Sequence, residues 1–556
     1  MKIACIDREH STRATIRVVT HISDRAEAFT DAERARLAPY FTNLDGHVFA
    51  LTNLPETVKG ALFARYSRSA KSLRRLFLDE FADHVNTADA APGSNVGVER
   101  AEKLYAKVFN DYGDDSVAQL GGAHIACEYA SNILTKVLEW GRLMAYLEQS
   151  TRYVPYTDKL HGRWRYHVPV ELSGALRDRY VRSLDDTFER YSKWIAPMQQ
   201  YFVKRNPKSP DDSDAVYRSA IRAKALDTLR GMLPAATQSN VGIFGSGQAF
   251  EALLLRMRAN PLDEVRGCAE EMLRELRKVI PAFLTRVDQP DRGGRWSAYL
   301  ADTRELTEKL ALDLVAADDP QSRSEVNLTD FDPEGEVKIV AAALYAVSVL
   351  PDDQLLAAAR RMSADDRGRV LRAYVGHRGN RRHRPGRAFE RTSYRFDVLT
   401  DYGAFRDLQR HRLLTLEWQP LSTRHGFTEP EAIREAGAGD DWMHVMDGSA
   451  DLYEAIRSAG HRDVAPYAVA MAYRVRFYLD MNAREAMHLI ELRTAPQGHP
   501  AYRRVCQEMH RLIRDVAGHG ALAASMAFAD HSTVELERLG SERALEQKRN
   551  AREPHR

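Results

Sequence analysis

The chain has 556 residues, a formal net charge of +2 and 28% charged residues. It is too long for one ordinary domain, and its overall charge argues neither for nor against a polyanion; a nucleic-acid protein usually shows a stronger basic bias, which counts against a nucleic-acid-binding reading through the basic loop at 377–391. A nucleic-acid partner is therefore not expected.

The 44% hydrophobic content allows a sizeable core. Cys5, Cys127, Cys268 and Cys506 have no CxxC spacing. That argues against a zinc ribbon or redox pair, and no metal is expected. Singly spread cysteines fit a reducing cytoplasm. The N-terminus lacks an apolar signal core, and no run of about 18 apolar residues predicts a membrane span.

In chain order, residues 1 to about 45 read as charged and helix-like. Val48 to Phe81 combines a short apolar run with an amphipathic helix that carries Arg65-Tyr66-Ser67-Arg68-Ser69. Asp89 to Val96 reads as a loop, Glu99 to Tyr112 as a helix, and Gly113 to Ser116 as its stop. Leu172 to Phe202 predicts a long amphipathic helix, followed by a polar loop at Lys204 to Asp214. Ala220 to Leu233 resumes helix up to Pro234. A connection near residue 320 separates two parts, 1–320 and 321–556. Glu336 to Val349 reads as helix, His377 to Arg391 as a basic loop suited to phosphate, and Ser541 to Arg556 as a frayed tail.

The most informative stretch is Tyr394 to Phe427. Alternating Tyr394, Phe396 and Val398 predict a strand, and a helix-like segment follows. Then come Arg410-His411-Arg412 and Ser422-Thr423-Arg424. Arginine forks bind phosphate oxygens in pairs, and planar guanidinium and imidazole stack on flat rings. An earlier copy exists: His124 to Arg142 lies against Tyr394 to Arg412 without a gap. Both copies continue to Ser-Thr-Arg, with two extra residues in the second. Gly245 to Arg258 is echoed by Asp480 to Arg493, each read as a helix ending in arginine. Two homologous halves follow from this, not a solenoid.

The order Arg410-His411-Arg412, Ser422 to Arg424, Asn482-Ala483-Arg484 and Leu492-Arg493 resembles the flavin-dependent thymidylate synthases, the ThyX family, here in tandem. The resemblance implies an α+β fold, each half a small mostly antiparallel sheet surrounded by helices. It implies FAD between subunits, with NADPH and methylenetetrahydrofolate as co-substrates, and reductive methylation of dUMP to dTMP. It also implies four assembled copies, hence a homodimer of this chain forming a pseudo-tetramer.

Residue by residue, the resemblance divides the site. Glu148, Ser150, Arg152 and Arg230 stand at nucleotide-contacting positions, as do Ser422 and Arg424 in the second copy. Arg410, His411, Arg412, Asn482, Arg484 and His499 stand on the flavin side, and Arg258 and Arg493 face the pyrimidine. In the first half Arg-His-Arg becomes Trp140-Gly141-Arg142. In the second, the counterpart of Arg230 is Pro466, and Glu417 or Gln419 stands nearest to the place of Glu148. The complementary losses imply one composite site type, nucleotide side from the first half and flavin side from the second. Plainer roles stay open: a surface ion pair for Arg152, a structural histidine at 411, a cap at Ser150. So do a catalytically silent paralogue that binds nucleotide or a partner protein, and a flavoenzyme acting on another pyrimidine nucleotide.

Overall fold

A computed structural model describes residues 27–46, 48–66, 69–84, 119–315, 318 and 320–550. The expected loop at 89–96, the helix at 99–112 and its stop at 113–116 lie outside the described residues, as do Ser67 and Arg68. The chain divides into two compact units. The smaller takes residues 1–123, 246–248 and 275–285. Its helices are α1 (Asp31–Leu37), α2 (Glu56–Tyr66) and α3 (Leu73–Glu80). Tyr40 and Phe41 pack on the Phe77 ring, and Arg75 bridges Glu27 and Glu33.

The larger unit holds the second copy of the repeat and all of the first except Gly122–Ala123, Ser246–Gln248 and the end of one helix from residue 275. The first copy runs β1 (Gly122–Ser131), α4 (Asn132–Leu138), β2 (Met144–Glu148), α5 (Gly174–Arg205), α6 (Asp214–Leu229), β3 (Gln238–Ser246) and α7 (Gly247–Arg258), then α8 (Asp263–Leu276) and α9 (Arg295–Val315). The second opens with β4 (Val326–Phe331), α10 (Gly335–Tyr345), α11 (Asp352–Arg361) and α12 (Ala364–Val375). It continues with β5 (Ser393–Asp401), α13 (Tyr402–Leu408), β6 (Thr415–Trp418), α14 (Glu431–Glu435), α15 (Gly439–Ser458), β7 (Arg474–Asn482) and α16 (Ala483–Arg493). After it come α17 (Pro500–Asp515), α18 (Gly520–Ser525) and α19 (Leu539–Asn550).

Local chemistry explains the shared pattern. Along β5 and β7 buried residues alternate with part-exposed ones, so Tyr394, Phe396, Val398, Phe477 and Leu479 enter the core. The residue that ends a strand then caps the next helix: Ser131 accepts from Leu134 N–H, Asp401 from Ala404 N–H and Asn482 from Glu485 N–H.

Both sheets are antiparallel where their pairing is described, and their orders match: β1-β3-β2 in the first, β4-β5-β7-β6 in the second. Their register matches too. Tyr146 pairs with Ile243, and its counterpart Leu416 pairs with Leu479.

The two copies face each other about an approximate two-fold axis. Pro234 bridges its own counterpart Ala470. Ala235 N–H donates to Val469 C=O at 2.8 Å, and Met471 N–H returns a bond to Leu233 C=O at 2.9 Å. Arg142 reaches Thr415 Oγ1 (3.0 Å), while the equivalent Arg412 reaches Met144 C=O. Self-complementary contacts of this kind characterise an isologous dimer interface, here inside one chain.

Two expectations change. Gly245–Ser246 and Asp480 to Asn482 are strand, because they end the ladders of β3 and β7 before the next helix starts. The ladders set Ser246 against Asn482, one residue off the sequence echo, so Met257 and not Arg258 falls opposite Arg493. Residues 541–550 are helix, not frayed tail: α19 packs on α6, Lys224 holds Glu537 at 2.5 Å and Arg543 holds Asp212 at 2.5 Å. Among the described residues no helix is long and apolar enough to cross a membrane.

Candidate functional site

The ends of α4, β2, α13 and α16 converge on a buried cluster of charges. Glu148 closes β2 and is 8% exposed. It accepts from Arg406 Nη2 (2.7 Å) and Arg410 Nη1 (3.3 Å), with Lys136 Nζ at 3.5 Å. Burial pushes its carboxyl up, but Arg406, Lys136 and Arg410 together pull it down to about 2. Asp407 is the second hub. It accepts from Arg410 Nη2 at 2.6 Å, with Arg230 and Arg493 each 3.7 Å away. Burial opposes its charge, yet Arg410, Arg493, Arg230 and Arg152 hold its carboxyl far below the usual range.

Arg152 is gripped as a fork by Asp227, Nε to Oδ1 at 2.7 Å and Nη2 to Oδ2 at 2.6 Å. Its Nη1 also donates to Tyr502 Oη at 3.3 Å. Arg230 is 4% exposed, and its Nη2 is buried without a hydrogen-bond partner. Ser150 Oγ accepts from the Arg152 N–H, closing the turn that aims Arg152 inward.

His411 Nε2 accepts from Arg493 Nε at 2.9 Å, and Nδ1 faces Glu485 Oε1 at 3.3 Å. Burial, then Arg493, keeps this imidazole neutral, its pKa well below the ordinary value. His499 lies with Nε2 3.5 Å from Asp227 C=O; burial and then Arg230 push it down to about 3.

Other candidates serve elsewhere. Arg258 pairs with Glu270, and Arg424 is exposed. Ser422 is buried. Asn482 caps α16, and Arg484 donates to Pro385 C=O at 2.9 Å. The two-fold register puts Trp418 at the place of Glu148, since Glu148 pairs with Val241 and Trp418 with the equivalent Phe477. That displaces Glu417 and Gln419 from the role of counterpart.

Sequence reading missed Lys136, Asp227, Arg406 and Asp407. A usable signal existed: Asp227 and Asp407 each stand three residues before a singled-out arginine, one helical turn away.

The cluster's charge is unbalanced. Lys136, Arg152, Arg230, Arg406, Arg410 and Arg493 face Glu139, Glu148, Asp227 and Asp407. Asp401 also faces Arg230, so one positive charge remains uncancelled, and more where burial, which pushes up the carboxyls of Glu139 and Asp401, keeps a proton on either. The excess charge is positive, so the cluster's electrostatics favour an anion over a cation. A cavity of about 30 Å³ lies within it, lined by Glu148, Ser150, Arg152, Arg230, Asp407 and Arg410. Arg230 and Asp227 also line one end of a larger cavity of about 600 Å³.

His411, Glu485 and His488 bring ligand-type atoms within 4.8 Å of one another. They do not suit a metal ion. Arg493 donates to His411 Nε2, which leaves the ring proton on Nδ1, the atom facing Glu485. Arg384 Nη2 lies 2.9 Å from His488 Nδ1. Burial pushes Glu485 up to about 7, and the fields of Arg384, Arg484 and Arg412 act against that rise. The surroundings of this group are thus cationic, although Arg484 also pairs with Glu390 at 3.3 Å.

The histidines predict a pH response. His488 is pushed down to about 4 by burial and then Arg384, and His499 to about 3. Both are neutral when folded and take up protons near pH 6.5 when unfolded. Stability should therefore be full above about pH 6.5 and fall as pH drops towards 3–4, on the order of 3 kcal/mol from His499. Urea unfolding across pH 4–7 measures this, and His499→Gln should flatten the slope.

Fold and site define a duplicated α+β protein with a buried, arginine-rich cluster shared by its repeats. The family model for thymidylate synthase complementing protein matches residues 60–282 and 327–518, and the chain belongs to that family. A UPF0159 protein of Chlamydia muridarum (strain MoPn / Nigg) is 37% identical over 520 residues, 92% of this chain and 98% of that protein. A UPF0159 protein of Thermoplasma acidophilum is 30% identical over 511 residues, 87% of this chain and 97% of that protein. The flavin-dependent thymidylate synthase of Clostridium tetani is 26% identical over 200 residues, 34% of this chain and 74% of that enzyme.

Proposed function

We propose that the chain is a flavin-dependent thymidylate synthase that methylates dUMP, using FAD, NADPH and methylenetetrahydrofolate. The two parts, 1–320 and 321–556, are read as fused and diverged subunits that pair with a second chain into a pseudo-tetramer. One observation carries the reading most: Glu148, Ser150, Arg152 and Arg230 of the first repeat meet Arg410, His411 and Arg493 of the second around Asp407. The uncancelled charge suits a phosphate monoester, a dianion near neutral pH.

Arg152 and Arg230 bind the nucleotide phosphate, and Arg493 orients the pyrimidine through its fixed contact with His411. The exposed Arg384 and Arg412 and the part-exposed Arg484 form a donor set that fits the diphosphate of FAD. When bound, reduced flavin supplies the hydride for methyl formation. The chain's own work is to place rings and neutralise phosphate.

A second reading, a silent paralogue, draws on the self-pairing of the arginines and the small size of the inner cavity. Tritium release from C5-labelled dUMP, with all three cofactors, separates the two. Release supports the enzyme, and none from FAD-loaded protein supports the silent form. Arg152→Ala should weaken dUMP binding about 10-fold or more and spare FAD, and Arg410→Ala should lower FAD retention. Loss of the same ligand in both would end the division of labour.

A further inference from the structure

We propose that each chain carries one phosphate-binding pocket, and that Trp140 and Trp418 fill the place where duplication put a second. The inference rests on the functional reading above. The two-fold relation maps the charged cluster onto a second location in the same unit. There Trp418 replaces Glu148, Trp140 replaces Arg410, Gly141 replaces His411 and Val137 replaces Asp407. Pro466 replaces Arg230, so the guanidinium with the unpartnered Nη2 has no equivalent.

What meets at that location is aromatic. The Trp140 and Trp418 rings pack edge to face with centroids 5.6 Å apart. Trp140 Nε1–H donates to Leu416 C=O at 3.3 Å, which satisfies the indole's one donor. Phe405 packs on the other side of this assembly, 5.6 Å from Trp418. The Arg256 guanidinium lies 5.3 Å from the centre of the Trp140 ring, so its charge is set against an indole face. Arg424, the counterpart of the buried Arg152, is exposed, and so is Asp463 at the place of Asp227.

An Arg410–Glu148 ion pair on one side of the axis is thus a tryptophan pair on the other. Trp140 is 37% exposed, and a phosphate dianion brought there would meet indole rings and the single guanidinium of Arg256 in place of the arginine set of the first pocket. The edge-to-face pair instead contributes packing between β6 and the turn after α4. Divergence has kept the shape of the second place and changed its chemistry from ligand binding to cohesion between the repeats.

Calorimetric titration of the full-length, FAD-loaded protein with dUMP counts the pockets. One dUMP per chain supports the proposal, and two per chain overturn it. Trp140→Ala and Trp418→Ala provide a readout that needs no ligand. Each should lower the Tm by a few degrees and leave dUMP affinity within about 2-fold. An unchanged Tm, or a loss of dUMP with the melt intact, overturns the plug. If wild-type protein binds no dUMP, the functional reading fails on its own, and the Tm result still decides whether the tryptophans are packing.

Discussion

Glu148→Gln should cost about 3–5 kcal/mol of folding stability, because it breaks a buried ion cluster from its acidic side. The substitution keeps the side-chain shape, removes the charge and replaces one of two acceptor oxygens with an NH2 donor. Lys136 retains Glu139 at 2.7 Å and Arg410 retains Asp407 at 2.6 Å. Arg406 has no such reserve. It is 5% exposed; among the described residues its one other hydrogen bond is to Met471 Sδ at 3.4 Å, and its Nε is buried without a hydrogen-bond partner. The loss therefore falls mainly on one stranded guanidinium. Adding Arg406→Met should recover much of it, since removing both members of a buried pair is cheaper than removing one. Thermal and urea unfolding of the two variants measures this. A Glu148→Gln protein that melts like wild type would show that the cluster does not join the repeats.

Arg230→Gln should do the reverse: weaken dUMP binding about 10- to 100-fold and leave stability nearly unchanged. The magnitude is that of one charge-assisted hydrogen bond, about 1.5–3 kcal/mol. Arg230 sits between the inner cavity and the larger one, and its only ion pair among the described residues is the long one to Asp407, at 3.7 Å. Among the described residues nothing satisfies Nη2, as expected of a group held ready for a ligand. Arg152 differs, because losing it strands Asp227 as well as the phosphate. Binding and melting measured on the same Arg230→Gln preparation tell these roles apart. A lower Tm with unchanged dUMP affinity would make Arg230 structural.

Much of the framework was legible because duplication writes it twice. The strand–helix unit at Tyr394 to Arg412 could be read from alternation, and its copy at His124 to Arg142 fixed the register. Local signals were weaker where tertiary pairing decides. Asp480 to Asn482 carries no strand alternation of its own beyond Met481, so the ladder with β5 determines its state. The helix at 539–550 depends on ion pairs to residues such as Asp212, over three hundred positions earlier in the chain. The site showed the same limit. Its arginines stand in recognisable order, but the carboxylates that hold them, Asp227 and Asp407, carry no motif. That Glu148 serves Arg406 and Arg410, rather than only a ligand, required the two-fold packing.

The crossed contacts between the repeats bear on how the molecule is made. Glu148 and Arg406 are 258 residues apart, and Tyr402 Oη donates to Asn132 C=O across 270. Ribosomal synthesis therefore exposes an unfinished interior, with Lys136, Glu139 and Glu148 waiting for partners not yet translated. The buried charge cluster of the leading repeat is complete only once the trailing one docks. Once it does, no dilution can part them, since the tether keeps the effective concentration of each for the other high.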